Sequence, residues 1–448
     1  MTGPDFFGGI ELSYHKELSA AEPIKEIAVP EKAVIPLRQN IGAVCETLVQ
    51  AGDRVEAGQK IGESKETLSA PVYTSFSGKV EEIKPYPSIA GKKIESIIIS
   101  VDEEQSKDFS ITKNKLEQVS AKEINELVKE AGIVGMGGAG FPTPVKLSPP
   151  PDKKVETIII NGCECEPYLT CDYRVMVENS DKIIKGIKIM LKKLKARSCI
   201  IAVEDNKEKA IQNLKKANED AKITVKSLPT RYPQGSEKML TSALLDREVP
   251  SGGLPLDIGV VVQNIQTVTS IYDAVILEKP LLDRVVTITG QSLGKPANVV
   301  VKVGTPIEHI INQCGGIKDD NYRVVMGGPM MGTAVSSLQI PIVKTSTGIV
   351  ILSADKIADY SNYRNCIRCE KCIDACPIKL YPNFLSICCE EERLKEAYEQ
   401  WDIMDCIECG ICSYVCVSKR PIAQFIKKAK PGIKAMVRNG EIGEGCND

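Results

Sequence analysis

GIVGMGGAGFPTPVKL, residues 132–147, carries glycines at 135, 137 and 140 in the G-x-G-x-x-G spacing of a dinucleotide-binding loop. That spacing has meaning only where a strand runs in and a helix runs out. Before it, AKEINELVKEAG places Ile124, Leu127 and Val128 at helical intervals and ends on Gly132, so the loop follows a helix. After it, FPTPV holds Pro142 and Pro144, and two prolines this close predict extended chain rather than a helix opening. The stretch is therefore not a Rossmann fingerprint, and the α/β unit it serves begins further on. Binding of phosphates by another geometry stays open.

From about residue 157 the pattern becomes strand, helix, strand. TIIIN (157–161), SCIIAVE (198–204), KITVKS (222–227) and DIGVVVQN (257–264) alternate with helical stretches such as DKIIKGIKIMLKKLKA. That rhythm predicts α/β architecture with a largely parallel sheet over 120–280. Ligands of such sheets sit beyond the carboxyl ends of the strands, where Asn161, Glu164, Glu166, Gln263 and Asn264 follow these runs.

Residues 34–105 read instead as short strands broken by GD and AG turns, a sandwich-like spacing. They resemble the barrel-sandwich domains of lipoyl and biotinyl carriers, with Lys65 near the place of the modified lysine. The methionines or Asp-Lys that flank a modified lysine are missing, so a structural sandwich is expected. Residues 281–345 offer two strands, an amphipathic helix over Ile307, Ile310 and Ile311, and a further strand, an order similar to the soluble-ligand-binding β-grasp family. His309 and His15 are the two histidines of the chain and read as packing or surface residues.

A chain of 448 residues exceeds what one core sustains, so several domains are expected. Lys and Arg number 57 against 59 Asp and Glu, which gives no basic field for nucleic acid. No apolar run reaches the roughly 18 residues of a spanning helix, and the N-terminus has no signal-peptide pattern. The chain is expected to be cytosolic or peripheral to a membrane. Nearly half of the 17 cysteines fall in two short runs, which points to metal rather than disulfides.

CIRCEKCIDACP, with Cys366, Cys369, Cys372 and Cys376 before Pro377, is the C-x2-C-x2-C-x3-C-P run of bacterial ferredoxins. CIECGICSYVC repeats it at Cys406, Cys409, Cys412 and Cys416, with Val417 in place of the proline. Paired C-x2-C also makes zinc sites, but two complete four-cysteine runs favour two [4Fe-4S] clusters. By analogy with two-cluster ferredoxins, Cys366, Cys369, Cys372 and Cys416 hold one cluster, and Cys406, Cys409, Cys412 and Cys376 the other. Between the runs, LSICCEEERLKEAYEQ is helical, so a helix-rich cluster domain is expected over 355–430, followed by a tail over 431–448; the basic charges of SKRPIAQFIKKAKPGIKAMVRNG could face a partner or lipid heads, but read first as a solvated helix. Cys388, Cys389, Cys45, Cys199 and Cys314 read as packing residues. Cys163, Cys165 and Cys171 in NGCECEPYLTC lack a fourth ligand and read as part of an active-site loop.

GMGGAGFPTPVKL is also similar to the glycine loop of the flavin-binding NADH dehydrogenase subunits of respiratory complex I. NGCECEP, RYPQGSEKML and VVQNIQTV resemble three further motifs of that family in the same order. The resemblance implies FMN held by Gly135, Gly137, Gly138 and Lys146, with Asn161, Glu164, Gln263, Asn264 and Thr267 on its phosphate, ribityl chain or ring edge. It implies NAD(H) positioned by Phe141, Glu166, Tyr232 and Glu237. Cys163, Ser236 and Gln263 stand where that family has aspartate, glutamate and asparagine.

Over nearly its whole length, from an N-terminal FFGGI segment (within 1–33) to the cysteine runs, the chain resembles the C subunits of Rnf complexes, membrane-bound ferredoxin:NAD oxidoreductases that move sodium or protons. The fold class implied is multidomain α/β and β: a barrel-sandwich hybrid, a Rossmann-like α/β flavin domain, a β-grasp domain and a helix-rich two-cluster ferredoxin domain. The resemblance also implies a peripheral place on the cytoplasmic face of the cell membrane, other Rnf subunits as partners, and electrons exchanged with ferredoxin through them. Cobalamin reductases share the flavin and cluster modules, though their chains begin near the glycine loop; that reading and a non-enzymatic electron relay remain as alternatives.

Overall fold

The computed structural model describes residues 6–89, 91–105 and 114–443. Its centre is a four-stranded sheet in the order Ile223–Leu228, Ser198–Glu204, Thr157–Asn161, Val260–Asn264, every pair parallel. Ser198–Glu204, Thr157–Asn161 and Val260–Asn264 are largely apolar without alternation because both faces are covered, whereas the edge strand Ile223–Leu228 carries Thr224, Lys226 and Ser227. Ile158, Ile160, Cys199, Ile201 and Val261 face helices Ala121–Glu130, Ser180–Leu194, Glu208–Ala217 and Ile265–Ile276. Their sequence neighbours Ile159, Ile200, Val260 and Val262 face helix Glu237–Leu245. Each isoleucine fully buried this way contributes roughly 1.5–3 kcal/mol. At Gly186 the helix lies so close to Ile265–Ile276 that a Cβ would meet the Val268 carbonyl oxygen at 2.4 Å.

Thr157–Asn161, the first of these four strands in chain order, is paired on one side by the second and on the other by the last, so the strand order reverses between 157–161 and 260–264. Asn161 and Asn264 are register partners at the carboxyl ends flanking this switch point.

The glycine stretch does follow a helix, Ala121–Glu130, started by a Ser120/Glu123 capping box. The extended reading of FPTPV needs correction. Val134 bridges Pro142, and one turn of helix, Thr143–Lys146, then opens with proline in its first positions. Proline is tolerated there because its missing N–H has no intrahelical partner in any case.

Residues 32–101 form two facing sheets, one ordered Lys32–Pro36, Lys93–Val101, Gly78–Pro87, Arg54–Val55 and one ordered Glu46–Thr47, Lys60–Glu63, Val72–Tyr73. Ile35, Ile61, Phe76 and Ile97 fill the space between them. Lys65 is exposed in the bend after the Lys60–Glu63 strand.

A further six-stranded mixed sheet runs Ile24–Glu26, Ala297–Lys302, Asp283–Thr289, Gly348–Ser353, Tyr322–Met326, Thr333–Ala334. Ile307, Ile310 and Ile311 of helix Ile307–Gln313 are buried in its core. Two of its strands lie outside 281–345. Gly348–Ser353 is central, parallel to Asp283–Thr289 and antiparallel to Tyr322–Met326, and its GIVIL run is buried because strands flank it on both sides. Ile24–Glu26, from the N-terminal segment, closes one edge.

The cysteine-rich part is helical, with Pro382–Glu390, Leu394–Glu399 and Ile422–Arg438 around Leu385, Cys388, Ala397, Ile426 and Ile433. LSICCEEERLKEAYEQ is two helices, because the chain turns at Glu392 with φ 56°. A boundary at 430 falls inside Ile422–Arg438. That helix is no solvated tail, since Ile422, Ala423, Ile426, Ala429 and Ile433 are buried. Residues 444–448 of the expected tail lie outside the described residues. Among the described residues no helix is long and apolar enough to cross a membrane.

Candidate functional site

A cleft of about 630 Å³ opens beyond the carboxyl ends of the switch-point strands. The glycine loop forms one wall, Asn161, Gln263 and Asn264 the floor, and residues 326–333 and 343–347 of the mixed-sheet unit the opposite wall. Ligand pockets of roughly 300–1,000 Å³ are the usual size for a small cofactor.

The loop is held from below. Met136 N–H donates to Thr267 Oγ1 at 2.9 Å and Gly135 N–H to the Phe141 carbonyl at 2.8 Å. Gly137 has φ +81°, and a Cβ there would sit 3.0 Å from Asn264 Nδ2. At Gly138 a Cβ would meet nothing within 4 Å, so this residue presents bare backbone to the open cleft. Lys146 Nζ reaches across to Glu237 Oε1 at 2.7 Å, tying the one-turn helix to the start of Glu237–Leu245. Phe141 lies at the rim, 38% exposed.

Several residues expected on a ligand also hold the cleft in shape. Asn161 Nδ2 donates to the Gly235 carbonyl at 2.8 Å. Glu164 accepts from the amides of Asp172 at 2.7 Å and Tyr173 at 3.2 Å, capping helix Cys171–Glu178 from seven residues upstream of its start, and burial raises its pKa. Asn264 caps helix Ile265–Ile276 through Gln266 N–H at 2.8 Å and donates to Asp172 Oδ2 at 2.6 Å. Glu166 accepts from the amides of Met330 at 3.1 Å and Met331 at 2.7 Å, so it fastens the opposite wall. Burial pushes its carboxyl up to about 7 against these two donors. Thr267 is placed differently from the expectation: fully buried under the loop, it does not line the cleft. Gln263 is 2% exposed and lines the floor, and its Nε2 has no hydrogen-bond partner. A buried donor left unpaired costs about 1–3 kcal/mol, which an acceptor group in the cleft would recover.

Sequence reasoning missed Lys16. Its Nζ donates to the carbonyls of Glu164, Glu166 and Leu169 at 2.8, 3.0 and 2.6 Å, fixing the NGCECEP loop from the N-terminal segment. Asp172, which accepts from both Asn264 and Gln266, was missed as well. So was buried Lys344, whose Nζ donates to the carbonyls of Pro71 at 2.7 Å and Gly132 at 2.8 Å; burial lowers its pKa to about 7. Nothing in a lone lysine marks such roles. MGGPMMG at 326–332 did carry a glycine signal: a Cβ at Gly328 would lie 2.2 Å from the Glu166 carboxylate.

Cys163, Cys165 and Cys171 do not converge. Their thiols contact the Ala202 carbonyl, the Gly235 amide and the Thr347 carbonyl respectively. Among the described residues, Glu164, Cys171 and Asp172 bring ligand atoms within 4.8 Å of one another, with the carboxylates already engaged as above. Cys45, Cys199, Cys314 and Cys388 are buried. His309 Nε2 lies 2.8 Å from the Ala28 carbonyl, and His15 stacks on Tyr168.

The eight run cysteines gather as two sets across the repeat. Cys366, Cys369, Cys372 and Cys416 line one small hollow, and Cys376, Cys406, Cys409 and Cys412 line another. Burial pushes the thiols of Cys372 to about 11 and Cys409 to about 12, so thiolates there need a bound cation. The second hollow adjoins the cleft. Ile407 lines both, and buried Tyr232, which also lines the cleft, donates its hydroxyl to the Cys409 carbonyl at 2.7 Å.

A nucleotide-sized cleft sharing a wall with a thiol-lined hollow defines an electron-transfer protein that joins a nucleotide cofactor to metal clusters. Residues 128–273 match the model of the Nuo51 FMN-binding domain, 4–104 that of the RnfC barrel sandwich hybrid domain, and 285–334 that of the SLBB domain. The chain is 47% identical over 426 residues (95% of it, 93% of the relative) to the C subunit of the proton-translocating ferredoxin:NAD(+) oxidoreductase complex of Clostridium ljungdahlii. It is 42% identical over 438 residues (97% of it, 98% of the relative) to the Na(+)-translocating counterpart of Acetobacterium woodii. The chain belongs to the family of C subunits of Rnf-type ion-translocating ferredoxin:NAD(+) oxidoreductase complexes. Its fold is also similar to that of a chain in an NAD+-reducing [NiFe]-hydrogenase, with TM-score 0.51 at 15% identity, covering 72% of this chain and 64% of that one.

Proposed function

We propose that this chain is the peripheral subunit through which an ion-translocating ferredoxin:NAD oxidoreductase exchanges electrons with NAD(H), with FMN in the cleft and a [4Fe-4S] cluster in each thiol hollow. The observation that carries the reading is the shared wall at Ile407 and Tyr232 between the cleft and the second hollow. Membership of the family of Rnf C subunits supports the assignment.

FMN fits the residues present. Gly138 leaves room for a ring or phosphate against bare backbone, and the unpartnered Gln263 Nε2 offers a donor on the floor. Gly135, Gly137 and Lys146 complete the cradle, while Asn161, Glu164, Asn264 and Thr267 hold it through the bonds described. Phe141, Glu166, Tyr232 and Glu237 line the cleft and would position a nicotinamide nucleotide there. Bound there, FMN supplies hydride exchange with NAD(H) and one-electron exchange with clusters. The chain's own part is orientation and exclusion of water. No side chain is asked for a proton, in keeping with the absence of histidine from the cleft lining.

The hairpin Asp283–Lys302 with its helix supports a β-grasp unit, drawn here over 281–353 with Ile24–Glu26 added. The helices around the hollows support a two-cluster ferredoxin domain from 355 to the end of Ile422–Arg438. The other units are a barrel-sandwich hybrid over 34–105 and an α/β unit over 120–280, preceded by an N-terminal segment over 1–33. Membrane attachment on the cytoplasmic face would come through other subunits of the complex, which also pass electrons to and from ferredoxin.

Anaerobic addition of NADH to the fully reconstituted chain tests the reading. Flavin and cluster absorbance should both bleach. A chain with full flavin and cluster occupancy that stays oxidised under excess NADH removes its assignment as the NAD(H) site.

A further inference from the structure

The two cysteine runs repeat at an offset of forty residues: Cys366 answers to Cys406 and Cys376 to Cys416. The backbone around the fourth cysteine repeats too. Lys379 N–H donates to the Cys376 carbonyl at 3.1 Å and Lys419 N–H to the Cys416 carbonyl at 3.0 Å, so the residues that follow, Leu380 and Arg420, are counterparts; the Arg420 amide also donates to Cys416 Sγ at 3.4 Å. Their side chains differ. Leu380 and Arg420 are both buried, Arg420 at 3% exposure, and each lines the hollow beside it.

The guanidinium of Arg420 is built into its place. Nε donates to Ser386 Oγ at 2.9 Å, a second nitrogen pairs with the Glu390 carboxylate, and the rings of Tyr363 and Phe425 lie 5.4 and 5.7 Å away. Glu390 is about a third exposed and does not line the hollow, so water screens it more than it screens the arginine. Lys371, at the rim of the same hollow, is exposed and screened. The second hollow has a buried cation as well, Lys430, but it donates to the Cys406 carbonyl and pairs with Glu408 at 3.0 Å without lining the hollow.

Reduction of a [4Fe-4S] cluster adds one negative charge, and nearby buried charge sets how readily it is accepted. Resting on the cluster reading above, we propose that Arg420 is a positioning residue for electron transfer: its buried cation raises the reduction potential of the cluster held by Cys366, Cys369, Cys372 and Cys416, making the two clusters unequal. A leucine at the related position leaves the other cluster without this help. The electron is thereby favoured on the cluster away from the cleft.

The test is anaerobic redox potentiometry of the full reconstituted chain, read by electron paramagnetic resonance, on wild type, Arg420→Leu, Arg420→Lys and Glu390→Gln. R420L should lower the midpoint of one cluster by about tenfold in its equilibrium constant, or ~59 mV for one electron, while the other stays. R420K should restore most of that loss, and E390Q, which removes the counter-charge, should move the same cluster upward. Midpoints unchanged in both R420L and E390Q, or shifted equally for both clusters, overturn the inference. If R420L does not assemble its clusters, E390Q decides alone, and no upward shift there overturns it. Wild type that binds iron without any [4Fe-4S] signal instead removes the cluster reading itself.

Discussion

Replacing Gly328 by alanine should open the cleft's far wall. The added Cβ would stand 2.2 Å from Glu166 Oε2, 2.5 Å from its carboxyl carbon and 2.6 Å from its Cβ. Rotating the carboxylate relieves the first contact but not the last, which lies next to the backbone, so the wall has to move. Glu166 then loses the amides of Met330 and Met331. At about 0.5–1.5 kcal/mol for each hydrogen bond to the neutral carboxyl that prevails below pH 7, the loss is about 1–3 kcal/mol. Hydrogen exchange of these two amides should accelerate by roughly one to two decades, at about 1.36 kcal/mol per decade, and NADH should bind more weakly. Gly138→Ala is the contrast: with nothing within 4 Å it should keep wild-type exchange at 330 and 331 while its methyl intrudes on the flavin place. Wild-type protection of Met330 and Met331 in G328A would refute the role of Glu166 as the fastening of this wall.

Glu166 also predicts a pH dependence. Its carboxyl rises from 4.5 to about 7 in the folded chain, so its contribution to wall closure is full below pH 4.5 and is lost as pH climbs through 7. Between those values the opening free energy should fall by about 1.36 kcal/mol per pH unit, and Glu166→Gln should flatten the profile once intrinsic exchange rates are divided out. Lys344 has the opposite sign. Lowered from 10.5 to about 7, it gives stability that is present above 10.5 and lost as pH falls through 7. Urea midpoints between pH 7 and 9 should therefore rise with pH in wild type and rise less in Lys344→Met. The crossed thiol sets predict which signals vanish together: Cys416→Ser should erase the same cluster spectrum as Cys366→Ser, and Cys376→Ser the same as Cys406→Ser. Cluster loss paired within each run instead would dissolve the crossed arrangement.

The parallel sheet was legible because four β-branched runs recur between helical stretches, and the thiol sets because their spacing repeats in full. The glycine loop's neighbours were half legible. Helical periodicity announced Ala121–Glu130, but the prolines of FPTPV hid a single turn of helix, since the same residue both ends and begins helices. Gly348–Ser353 escaped because a short apolar run with no turn signal of its own does not say which sheet it joins. The roles of Asn161, Glu164 and Asn264 as props of the cleft depend on partners 8 to 92 residues away, to which no local pattern points.

Residues 6–26 reach the second thiol hollow, the cleft and the mixed sheet. The amide of Gly9 donates to the Ala375 carbonyl beside Cys376, Ile10 bridges Tyr232, Lys16 gathers three carbonyls of the NGCECEP loop, and Ile24–Glu26 edges the mixed sheet. The strap is a clasp synthesised before the parts it clasps. During translation it must wait for partners that emerge from 148 (Lys16 to Glu164) to 366 (Gly9 to Ala375) residues later. A flavin-unit fragment cut out at residue 120 would lack that clasp, and supplying residues 6–26 as a separate peptide should return order to the NGCECEP loop.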